Sequence, residues 1–363
     1  MKIGVIGPIW LNIPPDGYGG TEEVVYNLVN GLVDKGQDVT LFGPKTSKVK
    51  AKVIPTVDIP LREQNVEWTN VNYNLNHYVD AFSRAGDFDI LHMHLNKSQD
   101  YLTLPLSLYS KTPVLFTLHF KLPTPSFYKD RYEVLKRFRE LPFTSISNSQ
   151  REAMELNYVS TVYNSLNLDR FKFNPEPEDY FVWLGKIKKV KGTKEAILAA
   201  KKANVKLKVL GPVDRGVPEV VEYYEKEVKP LIDGKQIIEV GEVSPQERNN
   251  ILSKAKALLN PISWQEPFGL VMAESQALGT PVIAFKRGAA SELIVEGKTG
   301  FLVKTVDEMV EKMAVIDKIR REDCREHIED NFSIPKMIEG YESAYAKTIE
   351  NWDNYLDKQS KIL

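Results

Sequence analysis

"KIGVIGPIWLNIPPDGYGGTEEVVYNLVNGLVDKGQDVTLFG", residues 2–43, decides the fold. "KIGVIG" (2–7) is a short apolar run and reads as a strand. "TEEVVYNLVNGLVDKG" (21–36) carries apolar residues at helical spacing. Thr21 is the expected N-cap, Glu22 and Glu23 sit in the first turn beside the positive end of the helix dipole, and Gly36 is the expected stop. "DVTLFG" (38–43) is the next apolar run. Strand, helix and strand at this spacing form a βαβ unit, whose strands lie parallel under covering helices.

The same rhythm continues outward through "FDILHMH" (88–94), "PVLFTLH" (113–119) and "FTSIS" (143–147). Residues 164–180, "NSLNLDRFKFNPEPEDY", break it; they are polar, contain proline and have no sustained period, so they read as a linker. The alternation then restarts with strands at "FVWLG" (181–185), "VKLKVLG" (205–211), "QIIEVG" (236–241), "ALLNP" (257–261) and "PVIAF" (281–285). Helices are expected from about Thr193 to Ala203, around 218–232 and over 245–255. From roughly 306 to 350 the pattern is helical, interrupted by "NFSIP" (331–335). The expected architecture is α/β: two Rossmann-like halves, 1–165 and 166–335, and a helical tail, 336–363.

A chain of 363 residues exceeds the size at which one core stops growing, which agrees with two domains. Lys and Arg number 48 against 49 Asp and Glu, so nothing in the charge balance argues for a nucleic-acid partner. The single cysteine, Cys324, can form no internal disulfide and cannot hold a zinc ion by itself, which fits a reducing, cytoplasmic compartment. "MKIGVIGPIWL" is broken by Gly and Pro and reads as a first strand, not a signal peptide. No stretch of 18 apolar residues offers a spanning helix.

Ligands of open parallel sheets bind beyond the carboxyl ends of the strands, so the loops there carry the chemistry. The first, "GPIWLNIPPDGYGGTEE" (7–23), brings Gly17, Gly19 and Gly20 into a helix N-terminus. Either they let backbone approach an anion at the helix dipole, or Gly17 and Gly20 only supply positive φ in a loop. The second, "WLGKIKKVKGTKEA" (183–196), clusters Lys186, Lys188, Lys189, Lys191 and Lys194 where a helix begins, as a diphosphate site or as a solvated basic turn. The third is "WQEPFGLVMAESQAL" (264–278). Prolines at 261 and 267 and Gly279 bracket a helix there, with Leu270, Val271, Ala273, Ala277 and Leu278 on one side and Glu274 near the centre of that arc. Glu266 stands just ahead of the first turn, about 12 Å away at most by helical rise. Buried carboxylates need partners, and paired sugar hydroxyls suit them as well as a Lys or Arg does. Neither half carries GxGxxG directly after a strand, which argues against a nicotinamide dehydrogenase.

"EPFGLVMAE" (266–274) resembles the Glu-x7-Glu motif of the retaining family 4 glycosyltransferases (glycosyl transferases group 1). The resemblance covers nearly the whole chain. "GGTEEVVYNLVNGLVDKGQDVTLF" (19–42), "TLHF" (117–120), "YNSLNLDRF" (163–171), "WLGKIKKVKG" (183–192), "GTPVIAF" (279–285) and "EGKTGFLV" (296–303) follow in the family's order and spacing. It implies the GT-B fold, two Rossmann-like domains facing across a cleft, with C-terminal helices crossing back to the N-terminal domain. It implies that Glu266 binds donor-sugar hydroxyls, that the backbone of Phe268, Gly269 and Leu270 approaches sugar and phosphate, and that Glu274 binds the ribose. Lys191 would neutralise the donor diphosphate. At position 186 the family usually has Arg; Lys186 keeps the charge and loses the bidentate fork. His119 looks like the family's active-site histidine, and Gly19 and Gly20 would approach donor phosphate or acceptor. Base contacts are expected near Gly241, Glu242 and Val243.

The implied reaction moves a hexose from a nucleotide-diphosphate sugar, UDP-linked or GDP-mannose, to an acceptor hydroxyl on a small molecule, a glycan or a lipid-linked sugar. It proceeds with retention by front-face attack, and requires no metal and no cofactor beyond the nucleotide sugar. His92 and His94 of "LHMH" have no adjacent acidic partner and read as sheet-packing residues. "FYKDRYEVLKRFREL" (127–141) sets Tyr132, Leu135 and Phe138 on a stripe amid five basic residues. That is either a surface helix packed on the sheet or a weak peripheral contact with the inner face of an anionic membrane. A sugar-nucleotide 2-epimerase of the same architecture and a catalytically idle sugar-nucleotide-binding subunit are the alternative functions.

Overall fold

The computed structural model describes residues 1–17 and 19–363. The chain divides into two units, Met1–Ser165 with Ile334–Leu363, and Leu166–Ser333. In the first unit the strands are β1 (Lys2–Ile6), β2 (Asp38–Pro44), β3 (Lys52–Val57), β4 (Ile90–Leu95), β5 (Val114–Leu118), β6 (Phe143–Ser145) and β7 (Tyr158–Thr161). They form one parallel sheet in the order β3-β2-β1-β4-β5-β6-β7. The order reverses between β1 and β4, the position where such sheets open a crevice at their carboxyl ends. Its helices are α1 (Gly20–Asp34), α2 (Asn72–Ser83), α3 (Thr103–Ser107), α4 (Lys129–Arg137) and α5 (Asn148–Arg151).

Val24, Val25, Leu28, Val29 and Leu32 on α1 pack with Ile3 and Val5 of β1, all buried. Burying each such side chain contributes about 1.5–3 kcal/mol. The start of α1 differs from expectation: Gly19 holds the N-cap position with an extended φ of −165°, and Thr21 lies inside the helix. Gly36, at φ 81°, does end it, in the left-handed region that glycine enters without strain. On α4 and just beyond, Leu135, Phe138 and Leu141 are buried, and Tyr132 and Val134 pack partly against the same core. The apolar stripe is therefore spent on the sheet, while Lys129, Lys136 and Arg137 stay exposed.

In the second unit β8 (Phe181–Leu184), β9 (Leu207–Leu210), β10 (Ile237–Gly241), β11 (Leu258–Asn260), β12 (Val282–Phe285) and β13 (Gly300–Val303) form another parallel sheet. Its order is β10-β9-β8-β11-β12-β13, with the reversal between β8 and β11. The helices are α6 (Thr193–Lys202), α7 (Pro218–Tyr223), α8 (Pro245–Ser253), α9 (Leu270–Ala277), α10 (Ala290–Leu293), α11 (Val306–Met313) and α12 (Arg321–Asn331). The last helix, α13 (Ile334–Ser360), belongs to the first unit, where Ile338, Tyr341, Ala344 and Tyr345 are buried beside α1. A Cβ on Gly31 would come within 2.8 Å of Ile338, so α1 and α13 meet at near-backbone distance. The stretch read as a linker is fastened down. Phe171 is buried, and the Arg321 guanidinium donates to the carbonyls of Asn174 (2.7 Å) and Ala255 (2.9 Å) and to Thr280 Oγ1 (2.7 Å). Among the described residues no helix is long and apolar enough to cross a membrane.

Candidate active site

The switch point of the second sheet gathers the predicted donor residues. Two glycines bring the loops after its strands together at backbone distance. Gly211, at φ 132°, lies so near Gly185 that a Cβ would meet its carbonyl oxygen at 1.8 Å. Gly192, at φ 73°, stands against the Pro261 carbonyl in the same way, 2.1 Å from a would-be Cβ. Trp183 Nε1 donates to the Lys191 carbonyl at 3.1 Å, and the Ser263 amide donates to the Val190 carbonyl at 3.0 Å. The lysine loop after β8 and the loop after β11 are thereby one rigid piece.

On that piece Lys191 Nζ meets Glu266 Oε2 at 2.5 Å, with side chains 28% and 15% exposed. Trp264 Nε1 donates to the same oxygen at 3.0 Å, and the ammonium lies 4.9 Å from the Trp264 ring centre. Gly288, at φ 53°, and Ala289 hold the Glu266 backbone from the far side: the Ala289 amide donates to its carbonyl at 3.0 Å. A Cβ at 288 would lie 2.3 Å from that oxygen.

Helix α9 begins at Leu270, with Gly269 in the N-cap position at φ 97°. Its first N–H groups have no acceptor within the helix and point out of its start. The expected arc of burial is corrected. Met272, Ala273, Ser275, Gln276 and Ala277 are buried, whereas Leu270, Val271 and Glu274 share the partly open side. The helix is enclosed on most of its circumference, so the apolar count misplaced Glu274. Its carboxylate lies 3.6 Å from Arg248 of α8 and its side chain is 14% exposed.

The other lysines divide. Lys194 Nζ lies 2.9 Å and Lys189 Nζ 3.7 Å from Glu227, so both serve the structure of this unit. Lys186 is exposed on the loop after β8. Gly241, at φ 79°, ends β10 at the sheet edge, and its carbonyl accepts from the Gly211 amide at 2.8 Å; Glu242 is exposed and Val243 half-buried beside it.

In the first unit His119 follows β5, its amide bonded to the Leu95 carbonyl at 2.8 Å. Its Nε2 lies 2.8 Å from His94 Nδ1, and the two rings stack at 5.1 Å. His94 and His92 project to the same side of β4, their ring centres 4.1 Å apart. His92 is bonded to Tyr345 Oη and Thr117 Oγ1, each at 2.8 Å, and so is a packing residue as expected. Burial pushes His119 down to about 3, and burial with the neighbouring rings holds His94 and His92 well below the usual range. All three are neutral at physiological pH. Gly19 is extended at φ −165° and Gly20 opens α1; a Cβ on Gly19 would crowd Pro15 and Glu22 at 2.8 and 2.9 Å.

Sequence reasoning missed Trp264, Arg248, Gly288 and the His94 contact. Trp264 stood in the quoted motif, two residues before the glutamate it supports. Arg248 and His94 gave no local signal, since each acts through a contact distant in sequence.

Two parallel Rossmann-like sheets, with the last helix returned to the first unit, are the GT-B architecture. Residues 166–331 match the model for glycosyl transferases group 1, and residues 18–170 match that for glycosyltransferase family 4. The chain belongs to that family. It is 26% identical to a trehalose synthase of Pyrococcus horikoshii over 369 residues, covering 89% of this chain and 86% of that one. It is 23% identical to a phosphatidyl-myo-inositol mannosyltransferase of Mycobacterium leprae, covering 90% and 89%. Among solved structures it is similar to a sucrose-phosphate synthase of Thermosynechococcus elongatus, at TM-score 0.76 and 19% identity over 95% of this chain and 98% of that one. The Anabaena protein HepE in complex with UDP gives TM-score 0.72 at 16% identity, covering 96% and 100%.

Proposed function

We propose that this glycosyltransferase moves a hexose from a nucleotide-diphosphate sugar to an acceptor hydroxyl with retention of configuration. The observation that carries the reading is the Lys191–Glu266 pair set beside the open N-terminus of α9. A departing diphosphate gathers negative charge, and preorganised donors lower the barrier to its departure. On donor binding the Lys191 ammonium exchanges its carboxylate for phosphate oxygens, assisted by Lys186 and the first N–H groups of α9. The ammonium groups do this work without calling for a metal ion. Glu266, released from the lysine and still held by Trp264, accepts hydrogen bonds from the sugar hydroxyls. Glu274 accepts from the ribose, with Phe268, Gly269 and Leu270 offering backbone to the sugar and phosphate. The base lies near Gly241, Glu242 and Val243. Neutral His119, with Gly19 and Gly20, belongs to the sugar and acceptor end. Front-face attack lets the leaving-group oxygen take the acceptor proton, so no side chain acts as nucleophile.

A UDP-linked sugar is the favoured donor, with GDP-mannose second; UDP in the HepE complex supports the first. The buried, free Cys324 thiol, pushed up to about 12 by burial, suits a reducing cytoplasmic setting. Thermal unfolding with UDP-glucose, UDP and GDP-mannose tests donor choice, because a ligand at 100 times its Kd stabilises the folded state by about 2.7 kcal/mol. Nucleotide release from the same donors, with a panel of sugar acceptors, tests transfer. No stabilisation by any of them, together with no release, would overturn the reading.

A further inference from the structure

Behind His119 runs a row of buried polar side chains. His119 Nε2 lies 2.8 Å from Nδ1 of His94, a residue of β4 that is 1% exposed. His94 is backed in turn by His92, whose ring centre lies 4.1 Å away. Both nitrogens of His92 are spent, one on Tyr345 Oη and one on Thr117 Oγ1, each at 2.8 Å. The Thr117 hydroxyl reaches Tyr341 Oη at 3.3 Å, so the row ends on α13. The backbone beneath it is sheet. β4 and β5 pair in parallel with Leu95 beside Leu118, and the His119 amide donates to the Leu95 carbonyl at 2.8 Å, which sets the His94 and His119 rings 5.1 Å apart. The proposed transfer uses His119 alone and gives the rest of this row no task.

We infer that His94 is a positioning residue: its Nδ1–H donates to His119 Nε2, which fixes the His119 ring and keeps the His119 proton on Nδ1. A neutral imidazole carries one N–H and one bare nitrogen, so a hydrogen bond between two neutral rings has only two forms. Burial keeps both of these rings neutral. In one form His119 donates, and His94 then carries its proton on Nε2. In the other His94 donates, and its Nε2 is bare. That nitrogen is sealed from solvent and meets no partner among the described residues. A buried N–H without an acceptor is costly, and orphaned N–H groups are rarer in folded proteins than under-satisfied acceptors. The second form therefore prevails. It occupies the only lone pair on His119. Such a ring donates from Nδ1 to a sugar hydroxyl or a phosphate oxygen and cannot take a proton as a general base. Front-face attack, in which the leaving-group oxygen takes the acceptor proton, asks for no base. That His119 faces the transferred sugar rests on the transferase reading; the tautomer does not.

Imidazole nitrogen resonances separate the two. The chain has 5 histidines, few enough to resolve each ring in the full chain labelled with nitrogen-15 at histidine. At neutral pH His119 is expected to show a protonated Nδ1 and a bare Nε2, in one tautomer. That spectrum needs no variant, and a proton on Nε2, or a mixture of the two forms, overturns the proposal. His94→Phe keeps a ring against His92 and removes the donor. It is expected to release His119 into both tautomers and to lower kcat for transfer from UDP-glucose about tenfold, the effect of one lost hydrogen bond, with donor KM within about twofold of the parent. His94→Asn returns an amide donor near the Nδ1 position and is expected to restore the single tautomer, with kcat within about threefold of the parent. A purely packing role for His94 predicts the reverse order, because Phe fills the space and Asn leaves a cavity. That order, a His119 tautomer indifferent to His94→Phe, or an unchanged kcat once the tautomers have mixed, removes the positioning role. A locked His119 in a chain that transfers from no nucleotide sugar leaves the lock standing and overturns the transferase reading alone.

Discussion

Removing the Lys191 ammonium tests the proposed donor site at its centre. In Lys191→Ala, Glu266 loses an ion pair at 2.5 Å between side chains 28% and 15% exposed, and keeps only the Trp264 N–H at 3.0 Å. Leaving a part-buried carboxylate with one neutral donor costs about 1–3 kcal/mol of stability. For a domain of this size that lowers Tm by about 2–4 °C per kcal/mol, so the variant remains folded at 25 °C. The effect on turnover is larger. A unit charge about 4 Å from a developing phosphate charge, at an effective dielectric of about 20, contributes about 4 kcal/mol. That corresponds to about a 10³-fold loss in kcat/KM. Initial rates of UDP release from UDP-glucose with a responsive acceptor measure it, beside thermal unfolding of the same preparation. Lys191→Arg retains the charge and is expected to lose far less. A folded Lys191→Ala with kcat/KM within about tenfold of the parent would refute the reasoning, since about 1.4 kcal/mol is too little for a direct phosphate contact.

Glu274→Gln keeps the shape and removes the charge facing Arg248, so kcat/KM for the donor is expected to fall by about 100-fold, with a raised KM; unchanged UDP binding by calorimetry would contradict a ribose contact. Gly288→Ala forces a Cβ to 2.3 Å from the Glu266 carbonyl at a positive φ, with an expected loss of about 1–3 kcal/mol in denaturant unfolding and a weakened UDP-sugar titration. Acid stability follows the buried histidines. Burial lowers His77 to about 4 and His119 to about 3, so below about pH 6.5 the unfolded chain binds protons that the folded chain refuses. Stability is therefore full above the unfolded value and falls as pH drops towards the folded ones, by up to about 1.4 kcal/mol per pH unit for each histidine. Chemical unfolding at about pH 7 and about pH 5 should show a shallower loss for His77→Gln, which cannot titrate; an unchanged slope would refute the account.

The βαβ rhythm was legible because the central strands of a parallel sheet are buried on both faces and so spell continuous apolar runs, as β1, β2, β4 and β5 do. The strands at three sheet edges were not. β3 is only partly buried and contains Pro55, β7 is half-exposed throughout, and β13 has four residues. β3 and β7 bury no side chain fully and so spell no apolar run, while β13 is mostly buried but short. Glu266, Glu274 and the lysine loop were likewise visible, because local helix and loop signals mark where donors and charges collect.

Which group meets which was settled only by tertiary structure. Lys191 and Glu266 lie 75 residues apart in the chain and meet because two glycine-spaced loops close on each other. The amino-acid order determined the elements and the chemistry available, since both depend on near neighbours. Partner, burial and proton affinity depend on what the sheet order brings within a few ångströms, and a linear pattern holds no record of that distance.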